Sequence, residues 1–189
     1  MIGFVSCLTP CYAGCHQFYV GPRVFHLKEE TNDDVWEVEN LYDLCFAPGR
    51  ELLSSYRLRE GIARVAGLSL LARDDDRILA GAVRYWPVLV AGLPVLLLGP
   101  VAVHPTRQGE GIGGFLVRES MGVATAAGWE RVLLVGDAPY YARFGFAKLE
   151  GVEMPPPTNP DRVLGHELVP GAWAGVVGPV TRYEAGKSA

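Results

Sequence analysis

An apolar run from Val95 to Val103 leads into Pro105-Thr106-Arg107-Gln108-Gly109-Glu110-Gly111-Ile112-Gly113-Gly114, and an amphipathic segment follows. This junction constrains the fold more than any other stretch. Glycines leave backbone N–H groups uncovered, so an anion can approach the main chain closely. A helix that starts there adds its own unpaired N–H groups and the positive end of its dipole. Apolar strand, glycine loop and helix together predict a site for a phosphate-bearing cofactor. The helix is expected to line one face with Ile112, Phe115, Leu116, Val123, Ala126 and Ala127, interrupted by Glu119, and to stop at Gly128.

The chain has 189 residues, 49% apolar and 20% charged, which suits a globular domain with a sizeable core. A net charge of −4 argues against a nucleic-acid partner, because phosphate contacts need a basic face. No apolar run reaches bilayer length; Leu93 to Val103 comes closest and is strand-sized, so no membrane partner is expected. No basic residue precedes Arg23, a poor start for a signal peptide, and the cytoplasm is the expected location. Of the four cysteines, Cys7, Cys11 and Cys15 cluster near the start and Cys45 stands apart, which is no disulfide framework. The spacing Cys-x3-Cys-x3-Cys-His, ending at His16, is not the common zinc pattern, and no metal is expected. Residues 1–21 have no clear period and read as an extension of uncertain order; residues 22–189 read as one domain.

Structure is expected to begin with a strand at Val24 to Leu27, followed by a helix from Asp33 or Asp34 to Cys45 with apolar residues at helical spacing. Leu52 to Glu60 reads as a further helical turn or two. Leu68 to Ala72, Ile78 to Val88 and Val95 to Val103 form a three-stranded meander, with turns at Asp74-Asp75-Asp76 and Ala91-Gly92. Proline cannot donate to a ladder, so Gly99-Pro100 either interrupts the last strand or marks it as a plain edge strand that tolerates proline. Val132 to Val135 follows the glycine-loop helix as a fully apolar strand. A brief helix from Asp137 through Tyr141, strands at Phe144 to Phe146 and Val163 to Val169, and a proline loop from Pro155 to Asp161 complete the order.

Three anion-binding chemistries compete at the glycine stretch. A P-loop needs Gly-x4-Gly-Lys-Ser/Thr, and Phe115 stands where the lysine belongs. Gly109, Gly111 and Gly114 spell the dinucleotide fingerprint Gly-x-Gly-x-x-Gly, with Asp137 near the place of a ribose-binding acid. That fold needs its first glycine directly after the strand, yet His104 to Gln108 intervene, and it needs repeated βαβ units that the first half lacks.

The third reading uses more of the chain. Gln108-Gly109-Glu110-Gly111-Ile112-Gly113 matches the Gln/Arg-x-x-Gly-x-Gly/Ala motif, and Tyr141-Ala142-Arg143-Phe144-Gly145-Phe146 matches the Tyr-x-x-x-Gly-Phe segment, of the Gcn5-related N-acetyltransferase (GNAT) family. Over residues 24 to 150 the chain resembles that family, and in particular its bacterial subgroup with mostly unassigned substrates. The resemblance implies an α/β (α+β) fold: a mixed, mainly antiparallel twisted sheet of six to seven strands flanked by helices. It also implies acetyl-CoA as cosubstrate, an amine of a small molecule or peptide as acceptor, and direct attack in a ternary complex. A homodimer is an option the sequence leaves open. Backbone amides of Gln108, Gly109, Glu110, Gly111, Ile112, Gly113 and Gly114 would hold the pyrophosphate. Val101, Ala102 and Val103 would pair with the pantetheine arm, a free amide there polarising the thioester carbonyl. Tyr141 is the candidate catalytic acid for the leaving thiolate. Asp137 departs from the asparagine that many relatives carry. A non-catalytic CoA-binding sensor and a dinucleotide-binding oxidoreductase are the rival functions.

No base is named. A lysine-like amine costs roughly 4.6 kcal/mol to neutralise at pH 7, yet Val95 to Val103 holds no carboxylate; His104 starts the loop and reads as turn surface, and Asp43, Glu51, Glu60 and Tyr85 stay equal alternatives. The acceptor is expected to meet Leu44 to Tyr56, Arg84 to Trp86 and the Pro155 to Arg162 loop, with Tyr56, Tyr85 and Trp86 as an aromatic wall.

Overall fold

The computed structural model describes residues 16–20, 23–46 and 48–184. Cys7, Cys11 and Cys15, with any metal-binding role for them, lie outside the described residues. Among the described residues no cluster of metal-ligating side chains occurs, and no helix is long and apolar enough to cross a membrane.

Ten strands form one mixed sheet. In chain order the elements are β1 (His16–Val20), β2 (Arg23–Glu29), α1 (Val35–Cys45), α2 (Ser54–Arg59), β3 (Leu70–Asp74), β4 (Leu79–Val90) and β5 (Leu93–Val103). They continue with α3 (Ile112–Ala126), β6 (Arg131–Val135), α4 (Ala138–Tyr141), β7 (Ala147–Lys148), β8 (Val152–Glu153), β9 (Val163–Glu167) and β10 (Gly178–Arg182). The strand order is β1-β2-β3-β4-β5-β6-β9-β7, with β10 on the far end of β4 and beside β8. Along the main path only β5 and β6 run parallel, joined by the α3 crossover.

The meander of β3, β4 and β5 is covered on both faces, which explains why β4 is almost wholly buried. Strand alternation sends adjacent residues to opposite faces. Leu71, Ala82 and Ala102 pack with Val38, Leu41 and Tyr42 of α1. Leu70, Ala72, Ala80 and Val83 pack with Ile112, Leu116 and Val117 of α3. Gly81 lets α3 lie close: a Cβ there would stand 3.0 Å from the Ala102 carbonyl oxygen, Ile112 and Leu116.

Three local expectations are corrected. The buried face of α3 is Ile112, Leu116, Val117, Ser120 and Ala124, while Val123 is exposed. Ser120 belongs inside because its hydroxyl meets the buried Tyr85 hydroxyl at 2.8 Å, satisfying both groups. Phe144 ends a 3-10 turn capped by the left-handed Gly145, so the strand expected at Phe144 to Phe146 begins only at Ala147. Glycine at a positive φ stops one element before the next can start. Finally, His16–Val20 pairs antiparallel with β2, and Gly178–Arg182 forms a strand that the sequence pattern did not reveal.

Candidate active site

After β5 a 3-10 turn, Pro105–Arg107, carries the chain into the glycine loop, capped by His104 Nδ1. Gly109 and Gly111 hold φ angles of 84° and 80°, where L side chains are strained. Gly111 is the N-cap of α3, and its carbonyl accepts from the Phe115 amide at 3.0 Å. The amides of Gly109, Gly111, Ile112, Gly113 and Gly114 make no hydrogen bond among the described residues. Those of Gln108 and Glu110 donate to the Pro105 and Arg107 carbonyls at 3.5 and 3.4 Å. Gln108 and Glu110 thus close the turn, and the other five amides of the row keep no partner among the described residues.

The side chains of the loop hold it in place. Gln108 Nε2 donates to the Val103 carbonyl at 3.3 Å. Glu110 pairs with Arg23 at 3.0 Å, and Arg107 pairs with Asp74. Both charges are committed to the sheet, which leaves the main-chain amides and the N-terminus of α3 as the uncommitted polar groups of the loop.

β5 and β6 stay paired only through Leu96–Val132 and Leu97–Leu133. Beyond Leu97 the two strands separate. Opposite Arg84, β5 carries the extra residue of a bulge at Gly99-Pro100, where the β4–β5 register shifts. The His104 amide donates to the Ala80 carbonyl at 2.9 Å. In an antiparallel ladder the bonded pairs alternate, so Ala102 faces Ala82 with its main chain committed to β4. Val101 turns its N–H and C=O groups, and Val103 its N–H, toward the gap beside β6, whereas the Val103 carbonyl accepts from Gln108 Nε2 and from Cys45 Sγ, each at 3.3 Å. The sequence assigned all three to the cofactor arm; Ala102 has no main-chain group left to offer it.

The gap opens into a cleft bounded by Leu98 to Val101 on one side, by Leu134 and Val135 on the other, and by Tyr141. Asp137 N-caps α4 by accepting from the Tyr140 amide at 3.2 Å. This turn delivers Tyr141 to the cleft with its ring packed edge-on against Tyr140 and Phe146. Burial, then the neighbouring Tyr140, push the Tyr141 hydroxyl up to about 12. It is a protonated donor at any physiological pH.

A second lobe shares Arg50, Tyr56, Arg59 and Pro100 with the cleft and adds Arg84 and Trp86. Tyr56 and Trp86 stand where an aromatic wall was expected. Tyr85 does not: it points to the opposite face and lies wholly buried under α3. The proline loop folds onto α2, where Ser54 and Thr158 hydroxyls meet at 2.6 Å.

Two candidate bases are also removed. Tyr85 is buried, and Asp43 is held by Arg50 Nε at 2.8 Å. Glu39, which the sequence did not single out, lines the second lobe and bonds to Arg84 and Arg50. Burial raises the pKa of Glu39, but those hydrogen bonds outweigh it and hold the carboxyl below its ordinary value. It frames the lobe as a fixed negative charge rather than accepting a proton. Arg59 was missed as well; nothing in Ser54-Ser55-Tyr56-Arg57-Leu58-Arg59 marks one arginine as buried and the other as exposed.

Residues 35–146 match the model of the acetyltransferase (GNAT) family. An uncharacterized N-acetyltransferase of Escherichia coli K12, YjhQ, is 33% identical over 132 residues, covering 67% of this chain and 71% of that protein. The crystal structure of the E. coli GNAT family N-acetyltransferase YhbS in complex with CoA superposes with a TM-score of 0.73 and 25% identity, over 93% of this chain and 94% of that one. A GNAT family acetyltransferase from Brucella melitensis, solved with acetyl-CoA, gives a TM-score of 0.65 and 30% identity over 85% and 96% of the two chains. The dinucleotide fingerprint is thereby overturned: the glycines open the crossover helix of a mainly antiparallel sheet, without the repeated βαβ units a dinucleotide fold requires. The chain belongs to the GNAT acetyltransferase family.

Proposed function

We propose that this protein transfers the acetyl group of acetyl-CoA to an amine of a small molecule or peptide within a ternary complex. One observation carries the reading. The free amides of Gly109, Gly111, Ile112, Gly113 and Gly114 lie just past the end of β5, whose unpaired edge borders a cleft that reaches Tyr141. A diphosphate suits the amides, an extended amide-bearing arm suits the open strand edge, and a thioester suits the cleft. The CoA and acetyl-CoA complexes of the E. coli and Brucella relatives support the same reading.

Acetyl-CoA supplies an activated acyl carbon and a thiolate leaving group. The chain supplies position and polarity. The outward amide of Val101 donates to the carbonyl oxygen as negative charge develops there. The Tyr141 hydroxyl donates to the departing sulfur. Complete proton transfer from a phenol near 12 to a thiolate of pKa roughly 8.5 is uphill. Tyr141 therefore works mainly as a hydrogen-bond donor in the transition state.

Thermal unfolding with CoA and with NAD tests the cofactor, and release of free thiol across a panel of amines tests turnover. Stabilisation by CoA alone, with amine-dependent thiol release, is expected. Equal stabilisation by NAD would refute the assignment, and tight CoA binding without turnover on any amine would favour a sensor.

A further inference from the structure

Three arginines line the second lobe, and they are not equivalent. Arg50 donates through Nε to Asp43, through Nη1 to Tyr56 and through Nη2 to Glu39. Arg84 donates through Nε and Nη2 to Glu30 and through Nη1 to Glu39. Every nitrogen of both guanidinium groups is satisfied.

Arg59 is different. It is only 8% exposed, yet its Nε and Nη1 have no hydrogen-bond partner, and it forms no ion pair among the described residues. Its guanidinium carbon sits 4.5 Å from the Trp86 ring centroid and 4.8 Å from that of Tyr56. The two aromatic faces fix the group in place and Tyr56 gives it one side-chain hydrogen bond, but Nε and Nη1 stay unused. Glu60, the next residue, lines the second lobe without pairing to it. Burial, the dominant influence, lowers the guanidinium to about 10, so it is charged at neutral pH.

A buried charge without a counterion is costly, and a planar group with spare donors matches a carboxylate. Arg59 borders both lobes, one shared with Tyr141 and one with Trp86. One uncompensated positive charge suits a single negative charge better than a phosphate dianion. The flanking walls of Phe46, Leu53, Tyr56 and Trp86 suit an apolar body. Building on the acetyl-transfer reading, we propose that Arg59 binds the carboxylate of the acceptor, and that the acceptor is an amino acid-like amine with an apolar or aromatic frame.

Benzoate is the probe, with benzyl alcohol as its neutral counterpart at matched ionic strength. Benzoate is expected to raise the unfolding midpoint of the full chain by several degrees and benzyl alcohol to leave it unchanged. In Arg59→Met the benzoate dissociation constant is expected to weaken about tenfold or more, while CoA stabilises both proteins alike. The wild-type comparison stands on its own if the variant does not fold. No benzoate effect on wild type, an equal effect on Arg59→Met, or stabilisation by inorganic phosphate but not benzoate would each overturn the proposal. Loss of CoA binding in Arg59→Met would assign Arg59 to the cofactor and overturn it as well. If CoA stabilises and benzoate does not, the acetyl-transfer reading stands and the Arg59 inference falls. If CoA fails on wild type, the acetyl-transfer reading falls with it, whatever benzoate does.

Discussion

The ring of Tyr141 occupies the space that a side chain on Gly136 would need. A Cβ at Gly136 would lie 2.7 Å from Tyr141 Cδ2 and 2.8 Å from Leu134 Cδ1, closer than real Cβ atoms come. Tyr140, Phe144 and Phe146 pack around the same ring, so only the cleft side is open to it. Gly136 also donates its amide to the Arg162 carbonyl at 2.9 Å, which fixes the backbone beneath the tyrosine.

Gly136→Ala is therefore expected to shift Tyr141 and to destabilise the fold by about 1–3 kcal/mol through overpacking. Thermal unfolding measures the stability loss and thiol release measures the activity loss. In a Tyr141→Ala background the same glycine substitution should cost less, because the two changes share one contact. Equal costs in both backgrounds would show that the ring is not what Gly136 accommodates.

Tyr141→Phe keeps the packing and removes the donor. The expected result is a fall in kcat of about 100-fold with CoA affinity nearly unchanged. Because the wild-type hydroxyl titrates near 12, kcat should show no alkaline decline from this group around neutrality or up to about pH 10. A variant with full activity would leave Tyr141 a packing residue only.

Gly111→Ala addresses the anion site. Gly111 has a φ of 80°, and a Cβ there meets no protein atom within 4 Å. The methyl group would project into open space at the N-terminus of α3, where the diphosphate is proposed to lie. Strain alone should cost roughly 1 kcal/mol of stability. CoA affinity measured by calorimetry should fall by more than that strain explains.

Asp34 sets the acid limit of the fold. Its buried carboxylate accepts from Lys28 at 3.1 Å, Arg73 at 2.9 Å and the Thr31 hydroxyl at 2.7 Å. Burial pushes its pKa up, but the bonds from Thr31, Lys28 and Arg73 outweigh it and hold the group far below its ordinary 3.8. With the folded value depressed, its stabilisation is complete above the ordinary carboxylate range and is lost as pH falls below it. Asp34→Asn should lower stability at neutral pH by about 2 kcal/mol and flatten the decline between about pH 5 and about pH 3. Unfolding midpoints across that range check both effects.

The amino-acid sequence by itself determined the order of strands and helices from β2 to β6, the glycine loop at Gln108 to Gly114 and the tyrosine turn before Gly145. These rest on local causes: apolar periodicity, glycine at left-handed positions, and an Asp137 cap followed by proline. Tertiary structure alone decided which groups are free to act. Strand alternation and the bulge opposite Arg84 select Val101 over Ala102 for the cleft. Strand β10 escaped notice because its pairing with β4 spans about half of the chain and leaves no periodic trace. The contrast between Arg50, Arg84 and Arg59 depends on which carboxylates the fold brings within reach. Distant partners set a side chain's burial, charge and remaining donors, and such partners are invisible until the chain has closed on itself.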